Sequence, residues 1–181
     1  MTDRPAPGEL ELIEQLVNTA DLEEGTDAIA SPDALAAWLR SVGLAGRADV
    51  FEEADVARVV AFREALRRLL LSHHGGDVDA RAVAELDAVA RDVGLVVGFG
   101  ADGSVAVAPA GRGIDAVLGR LLAVIARASA EGTWERLKAC PADDCHWAFY
   151  DHSRNHSRTW CDMKVCGNRA KARSYRSRRG G

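Results

Sequence analysis

The sequence predicts an α+β chain. A mainly α-helical N-terminal domain with one small β-hairpin is followed by a small four-cysteine knuckle domain that ends in a basic helix. Three observations predict this. Apolar residues recur at helical spacing through most of residues 9–130. That period gives way once to alternation, around Asp102-Gly103. All four cysteines lie in the last quarter of the chain, in two matched pairs.

The elements follow in order. Residues 9–19 place Leu10, Leu12, Ile13, Leu16 and Val17 on one stripe after Pro7-Gly8. Asn18 and Thr19, at its end, are candidates to line a small-ligand pocket; the alternative is a helix cap or a buried structural hydrogen bond. Ser31-Pro32-Asp33 opens a second helix: a serine N-cap, a proline in the first turn and an acid at the positive end of the dipole. It should bury Leu35, Trp38 and Leu39 and stop at Gly43, with Leu44 making the capping contact. A longer helix over 53–73 turns Val56, Val59, Val60, Leu66, Leu69 and Leu70 inward. Arg58, Arg63, Glu64, Arg67 and Arg68 fall mostly outward. His73-His74-Gly75-Gly76 ends it, and the two histidines read as a C-terminal cap or dipole partner rather than a metal site. Residues 79–92 repeat the pattern through Val83, Leu86 and Val89 and close on Gly94.

Leu95–Phe99 and Ser104–Val107 flank Asp102-Gly103 and read as a β-hairpin, which should pack on a helix because an isolated hairpin is marginal in water. Helix resumes from about Asp115 to Ala130. Gly132-Thr133 breaks it, and a short turn from Trp134 to Lys138 leads into Cys140. The boundary therefore falls near Gly132, dividing the chain into 1–132 and 133–181.

At 181 residues there is room for one ordinary domain and a small appendage, and 48% hydrophobic content supports a core. The net charge of -4 conceals a split. Residues 138–181 carry ten Lys/Arg and four acids, whereas 1–137 carry 13 basic and 23 acidic residues. Only the basic end should approach a polyanion. No secretion signal or membrane-length apolar run is present, so the expected location is a reducing cytoplasm with no membrane partner, where thiols favour metal over disulfide. The Ala/Arg/Gly-rich composition points to a GC-rich bacterial gene.

The cysteine spacing is C-x4-C-x15-C-x4-C: Cys140, Cys145, Cys161 and Cys166. Two pairs across a loop suit one tetrahedral Zn²⁺ bound by four thiolates, making this a zinc knuckle. His146, His152 and His156 lie between the pairs as alternative ligands, and a pair of disulfides would need an oxidising compartment. Gly167 is expected to permit a tight turn beneath the metal. Four thiolates leave no open coordination position, so hydrolytic chemistry is not expected. Elsewhere the chain has no Ser-His-Asp order, Walker loop or HExxH, and it reads as a non-enzyme.

The stretch from Phe149 to Met163, then Cys166-Gly167-Asn168-Arg169 and Lys171, resembles the CGNR-type zinc finger. That family is found at the C-terminus of bacterial stress-related transcription regulators. The resemblance covers about forty residues and implies the same four cysteines as zinc ligands. Leu16-Val17-Asn18-Thr19 and the helix order resemble the family's N-terminal partner, the ABATE domain. Together they imply a stress-response transcription regulator.

A helix running from Asn168 would place Arg169, Arg173 and Arg176 within about 60° of one another, with Lys171 and Arg178 opposite. Most such contacts would go to phosphate. Arg154, Asn155 and Arg158 beside the metal, with Asn168 and Arg169, are candidates for base edges, because Arg and Asn have bidentate partners in guanine and adenine. For Asn168 the alternative is a bond to the knuckle's own backbone. Trp147, Phe149, Tyr150 and Trp160 should form a mini-core around the zinc. The expected partner is double-stranded DNA, with the N-terminal domain a sensor for a small-molecule effector or a homodimer scaffold. The other reading is a zinc-stabilised RNA-binding or protein-interaction module. Chelation is expected to unfold the C-terminal module and spare the helices of 9–130.

Overall fold

The computed structural model describes residues 4–179, with the side chains of 177–179 left undescribed. Helix α1 (Leu10–Val17) leads into a two-residue ribbon, β1 (Ala20–Asp21) and β2 (Thr26–Asp27). Helix α2 (Pro32–Ser41) starts where Ser31 Oγ accepts from the Ala34 N–H, and Leu44 N–H closes it on Leu39 O. Helix α3 (Glu53–Ser72) opens with a capping box between Glu52 and Asp55. Helix α4 (Ala80–Val93) is capped by Asp79, which accepts from the N–H groups of Arg81 and Ala82. Antiparallel strands β3 (Leu95–Phe99) and β4 (Val105–Pro109) follow, then α5 (Ile114–Ala130).

Helix α3 packs against α1, α2 and α4, and α5 covers α1 and α4. Phe62, Ile13, Leu16, Leu35, Leu39, Leu66, Leu70, Leu118 and Leu121 are fully buried between them. The hairpin meets α5 through Pro109. A Cβ at Gly119 would come within 2.6 Å of Pro109 and 2.9 Å of Val93, so only glycine allows that approach. Beyond this contact the strands are open: Val97, Phe99 and Val105 are more than half exposed.

The core does not stop at Gly132. After a 3₁₀ turn (Trp134–Arg136), strands β5 (Leu137–Ala139) and β6 (Ala148–Tyr150) pair antiparallel and lie on α3 and α1. Leu137, Ala139, Ala148 and Tyr150 join the same apolar cluster as the helices. A π-helical turn (Met163–Gly167) and α6 (Asn168–Arg179) complete the chain. The cysteine module is therefore built onto the body through a shared core.

Several side chains depart from the sequence expectation. Arg63 and Arg67 are buried, each about 3% exposed. Arg63 holds Asp27 with two hydrogen bonds of 2.8 Å, and its Nη1 reaches Thr19 Oγ1 at 3.0 Å. Arg67 donates to the carbonyls of Val17, Ala20 and His146. Buried guanidinium groups need such partners, and here they tie α3 to the end of α1, the ribbon and the first cysteine loop. Trp38 is only half-buried and Val83 is exposed, because α4 lies on the outside of α3.

Candidate metal centre and its basic surface

Strand β5 delivers Cys140 to the first knuckle, where its N–H bonds Trp147 O at 2.9 Å. Ala142 O accepts from the N–H groups of Cys145 and His146, which curls the loop between the first pair. His146 takes a left-handed φ of 50°, and its carbonyl is the one held by Arg67. In the second knuckle Asp162 caps the π-helical turn, accepting from the N–H groups of Lys164 and Val165. Gly167 does not take a left-handed turn, and it lies close to the Met163 and Trp160 side chains instead. A Cβ there would come within 2.4 Å of Met163 Sδ and 3.2 Å of the Trp160 ring.

The two knuckles bring the four Sγ atoms within 4.8 Å of one another. Cys145 and Cys161 are 3.5 Å apart, and Cys161 and Cys166 3.7 Å. A tetrahedron with metal–sulfur bonds of about 2.3 Å has edges of about 3.8 Å, so the donor set fits a four-coordinate, thiophilic cation. No histidine nitrogen joins the group among the described residues. His152 Nε2 lies instead against the carbonyls of Arg4 and Pro5. Hydrogen bonds from Cys145 and Cys161 hold the Cys140 thiol low. The same crowding pushes Cys145 and Cys161 up. Four sulfurs packed this closely cannot all ionise without a cation between them. Cys140, Cys145 and Cys166 are buried, which suits a closed structural site.

Beside the cluster, the Asp151–Arg158 loop is pinned from below. Lys138 Nζ lies 2.8 Å from Asp151 Oδ2 and also donates to the carbonyls of His156 and Arg158. Asp151 accepts from the N–H groups of Ser153 and Arg158. Burial alone would raise its carboxyl, but the Lys138 ammonium and these N–H groups bring it down to about 2. Arg136 binds the carbonyls of Asp151 and Ser153 while lying 5.7 Å over the Tyr150 ring. At the tip, Arg154 and Asn155 are exposed.

The candidate base readers thus divide. Arg158 lies 4.7 Å over the Phe149 ring and donates to Trp160 O and Cys161 O. Asn168 Nδ2 donates to Lys164 O, the backbone alternative raised for it. Arg169 grips Glu23 with both terminal nitrogens, at 2.8 and 3.1 Å, meets Asp144 at 3.3 Å, and donates to Cys166 Sγ at 3.4 Å. These three side chains position the knuckles. Lys171, Arg173 and Arg176 are exposed along α6, as is Lys164 beneath it. The side chains of Arg178 and Arg179 lie outside the described residues.

The ring of aromatics also divides. Phe149 and Trp160 pack on the cysteines, Tyr150 belongs to the main core, and Trp147 is 37% exposed. Asn18 forms a two-way bond with the Ala148 backbone, Nδ2 to O at 2.9 Å and N to Oδ1 at 2.7 Å. Thr19 Oγ1 donates to Leu16 O and accepts from Arg63. Both residues border a groove, yet their polar atoms serve the fold. His73 and His74 donate from Nδ1 and Nε2 to the carbonyls of Leu137 and Ala139, so their rings hold β5 rather than the end of α3.

Residues 136–179 match the CGNR zinc finger family, and residues 10–132 match ABATE, described as "Putative stress-induced transcription regulator". No curated protein matches the chain. Among the described residues no helix is long and apolar enough to cross a membrane. With about two thirds of its length in the one match and the four-cysteine centre inside the other, the chain belongs to the ABATE family, carrying a C-terminal CGNR zinc finger.

Proposed function

We propose that this chain is a DNA-binding transcription regulator in which Zn²⁺, held by Cys140, Cys145, Cys161 and Cys166, is structural. The metal holds the knuckle that carries α6, beside the Arg154-Asn155 loop that Lys138 and Arg136 pin. One observation carries this reading: the cations around the cluster are sorted. Arg136, Lys138, Arg158 and Arg169 face inward onto backbone and acids, while Arg154, Lys164, Lys171, Arg173 and Arg176 are left exposed. Exposed Lys and Arg on a rigid support suit a phosphate backbone, and Arg154 and Asn155 at the tip suit base edges. The N-terminal domain serves as sensor or dimer scaffold, a role supported by its open groove and by the exposed apolar strands β3 and β4.

The test is fluorescence anisotropy of the zinc-loaded chain on duplex DNA across a salt series. Replacing Arg173 and Arg176 with alanine should flatten the log–log salt slope by about two. An unchanged slope removes α6 from the interface. Equal affinity for unrelated duplexes, with tighter binding to structured RNA or to an acidic protein, would replace the DNA reading.

A further inference from the structure

A groove of about 680 Å³ runs along the seam between the helical body and the cysteine module. That volume lies within the range of small-molecule sites. Its walls come from both parts: Trp38 on α2 and Glu11 and Glu14 on α1 from the body, Trp147 from the first knuckle. Trp38 and Trp147 are incompletely buried, so both offer indole surface to the groove.

The polar lining is one-sided. Four of its side chains already donate within the fold: Asn18 to Ala148 O, Thr19 to Leu16 O, Gln15 to Glu11 and Ser41 to Trp38 O. The charged residues that line it are all acidic, and among the described residues no lysine or arginine does so. Asp162 is occupied with capping its turn and shares its field with Arg158. The acceptor capacity therefore rests with Glu11 and Glu14. Glu14 takes one hydrogen bond, from the Ala6 N–H at 2.6 Å, and feels His152 at longer range. Burial pushes its carboxyl up from the usual value, the mark of a carboxylate that has lost water. An anion would be repelled here, and a neutral molecule would leave the carboxylate charge uncompensated. A cation with an apolar body would meet carboxylate oxygens and indole faces together.

We infer that this seam is a binding site for a small organic cation, an ammonium group carrying an aromatic or alkyl body, seated between Trp38 and Trp147 with its charge at Glu11 and Glu14. Such a ligand touches α1, α2 and the first knuckle at once, so it would stabilise the docked arrangement of body and module. The site stands independently of what the basic surface binds.

The experiment is isothermal titration of the metal-loaded full chain at pH 7.5 with three probes of one shape: 2-phenylethylammonium, 2-phenylethanol and 3-phenylpropionate. The ammonium should bind saturably and about tenfold or more tighter than the alcohol, and the propionate should not bind. Glu14→Gln keeps an oxygen for the Ala6 N–H, and the Glu11→Gln, Glu14→Gln double variant removes both charges. Each should weaken the ammonium while leaving the circular dichroism of the chain unchanged. Trp38→Leu should weaken it as well. Failure of the ammonium to saturate, equal binding of alcohol and ammonium, or undiminished binding by the double variant would overturn the inference.

Discussion

Replacing Lys138 with methionine tests how the loop beside the metal is held. The Lys138 side chain is 4% exposed and its partner Asp151 is fully buried. Methionine keeps the volume and removes the charge, leaving Asp151 with Ser153 and the Arg158 N–H as neutral donors. Breaking one side of a buried pair costs about 3–5 kcal/mol. The carbonyls of His156 and Arg158 lose a donor as well, but both lie near the surface, where water can replace it. The expected loss is about 4 kcal/mol, or about a thousandfold in the folding equilibrium. Adding Asp151→Asn to the methionine variant removes the stranded charge and should restore about half of the loss. Urea denaturation of the zinc-loaded variants at pH 7, followed by circular dichroism, reads both numbers. A loss below about 1 kcal/mol, or no recovery in the double variant, would refute the reasoning.

The same pair sets a pH response. The Asp151 carboxyl titrates at about 2 in the folded chain against an ordinary 3.8. Its contribution of about 2 kcal/mol is fully present above 3.8 and is lost as pH falls through about 2. In Lys138→Met, burial is no longer opposed by the ammonium, so the carboxyl midpoint seen by ¹³C NMR should move upward. His73 offers a second window: burial strips water from a charged ring and lowers its pKa below 6.5, while the hydrogen bond to Leu137 O opposes that shift only in part. The unfolded chain then binds the extra proton first, so stability holds above 6.5 and declines as pH falls below it. His73→Gln should flatten that decline in urea melts between pH 7 and 5. Asn18→Ala strands the N–H and C=O of buried Ala148 and should cost about 2–4 kcal/mol; a loss under about 0.5 kcal/mol would mean that the bridge carries no weight. X-ray absorption of the loaded protein should give four sulfurs at about 2.3 Å and no light-atom ligand; a nitrogen or oxygen shell would contradict the closed site.

Local signals carried the helices and the hairpin well. Ser31-Pro32-Asp33, Asp102-Gly103 and the stripe of α1 each act through near neighbours, and each element formed where its residues place it. Partners brought together from far along the chain were not visible. Arg63 and Arg67 fall on the α3 stripe with Val56, Val59 and Leu70, a placement that signals buried arginine, but polarity alone assigned them outward. Nothing near them in sequence names Asp27 or the His146 carbonyl as partners. The four cysteines were legible because metal spacing is a local rule. The duties of Arg158 and Arg169 were not, because the surface they hold exists only after the knuckles dock on the body. Lys138, central to the site, sits in a three-residue strand whose pattern gives no sign of an ion pair.

Docking also bears on what metal removal should do. Leu137 and Tyr150 are buried in the main cluster, and burial of each is worth about 1.5–3 kcal/mol without any metal. Chelation should therefore release the cysteine loops and α6 while β5 and β6 stay on α3 and α1. On this reading the structural metal exists to present the basic surface. The most direct measurement is anisotropy of the full chain on duplex DNA before and after zinc extraction, with circular dichroism on the same samples. DNA affinity should collapse while most of the helical signal remains, and restoring zinc should restore binding. Undiminished binding by the zinc-free chain would contradict this reading.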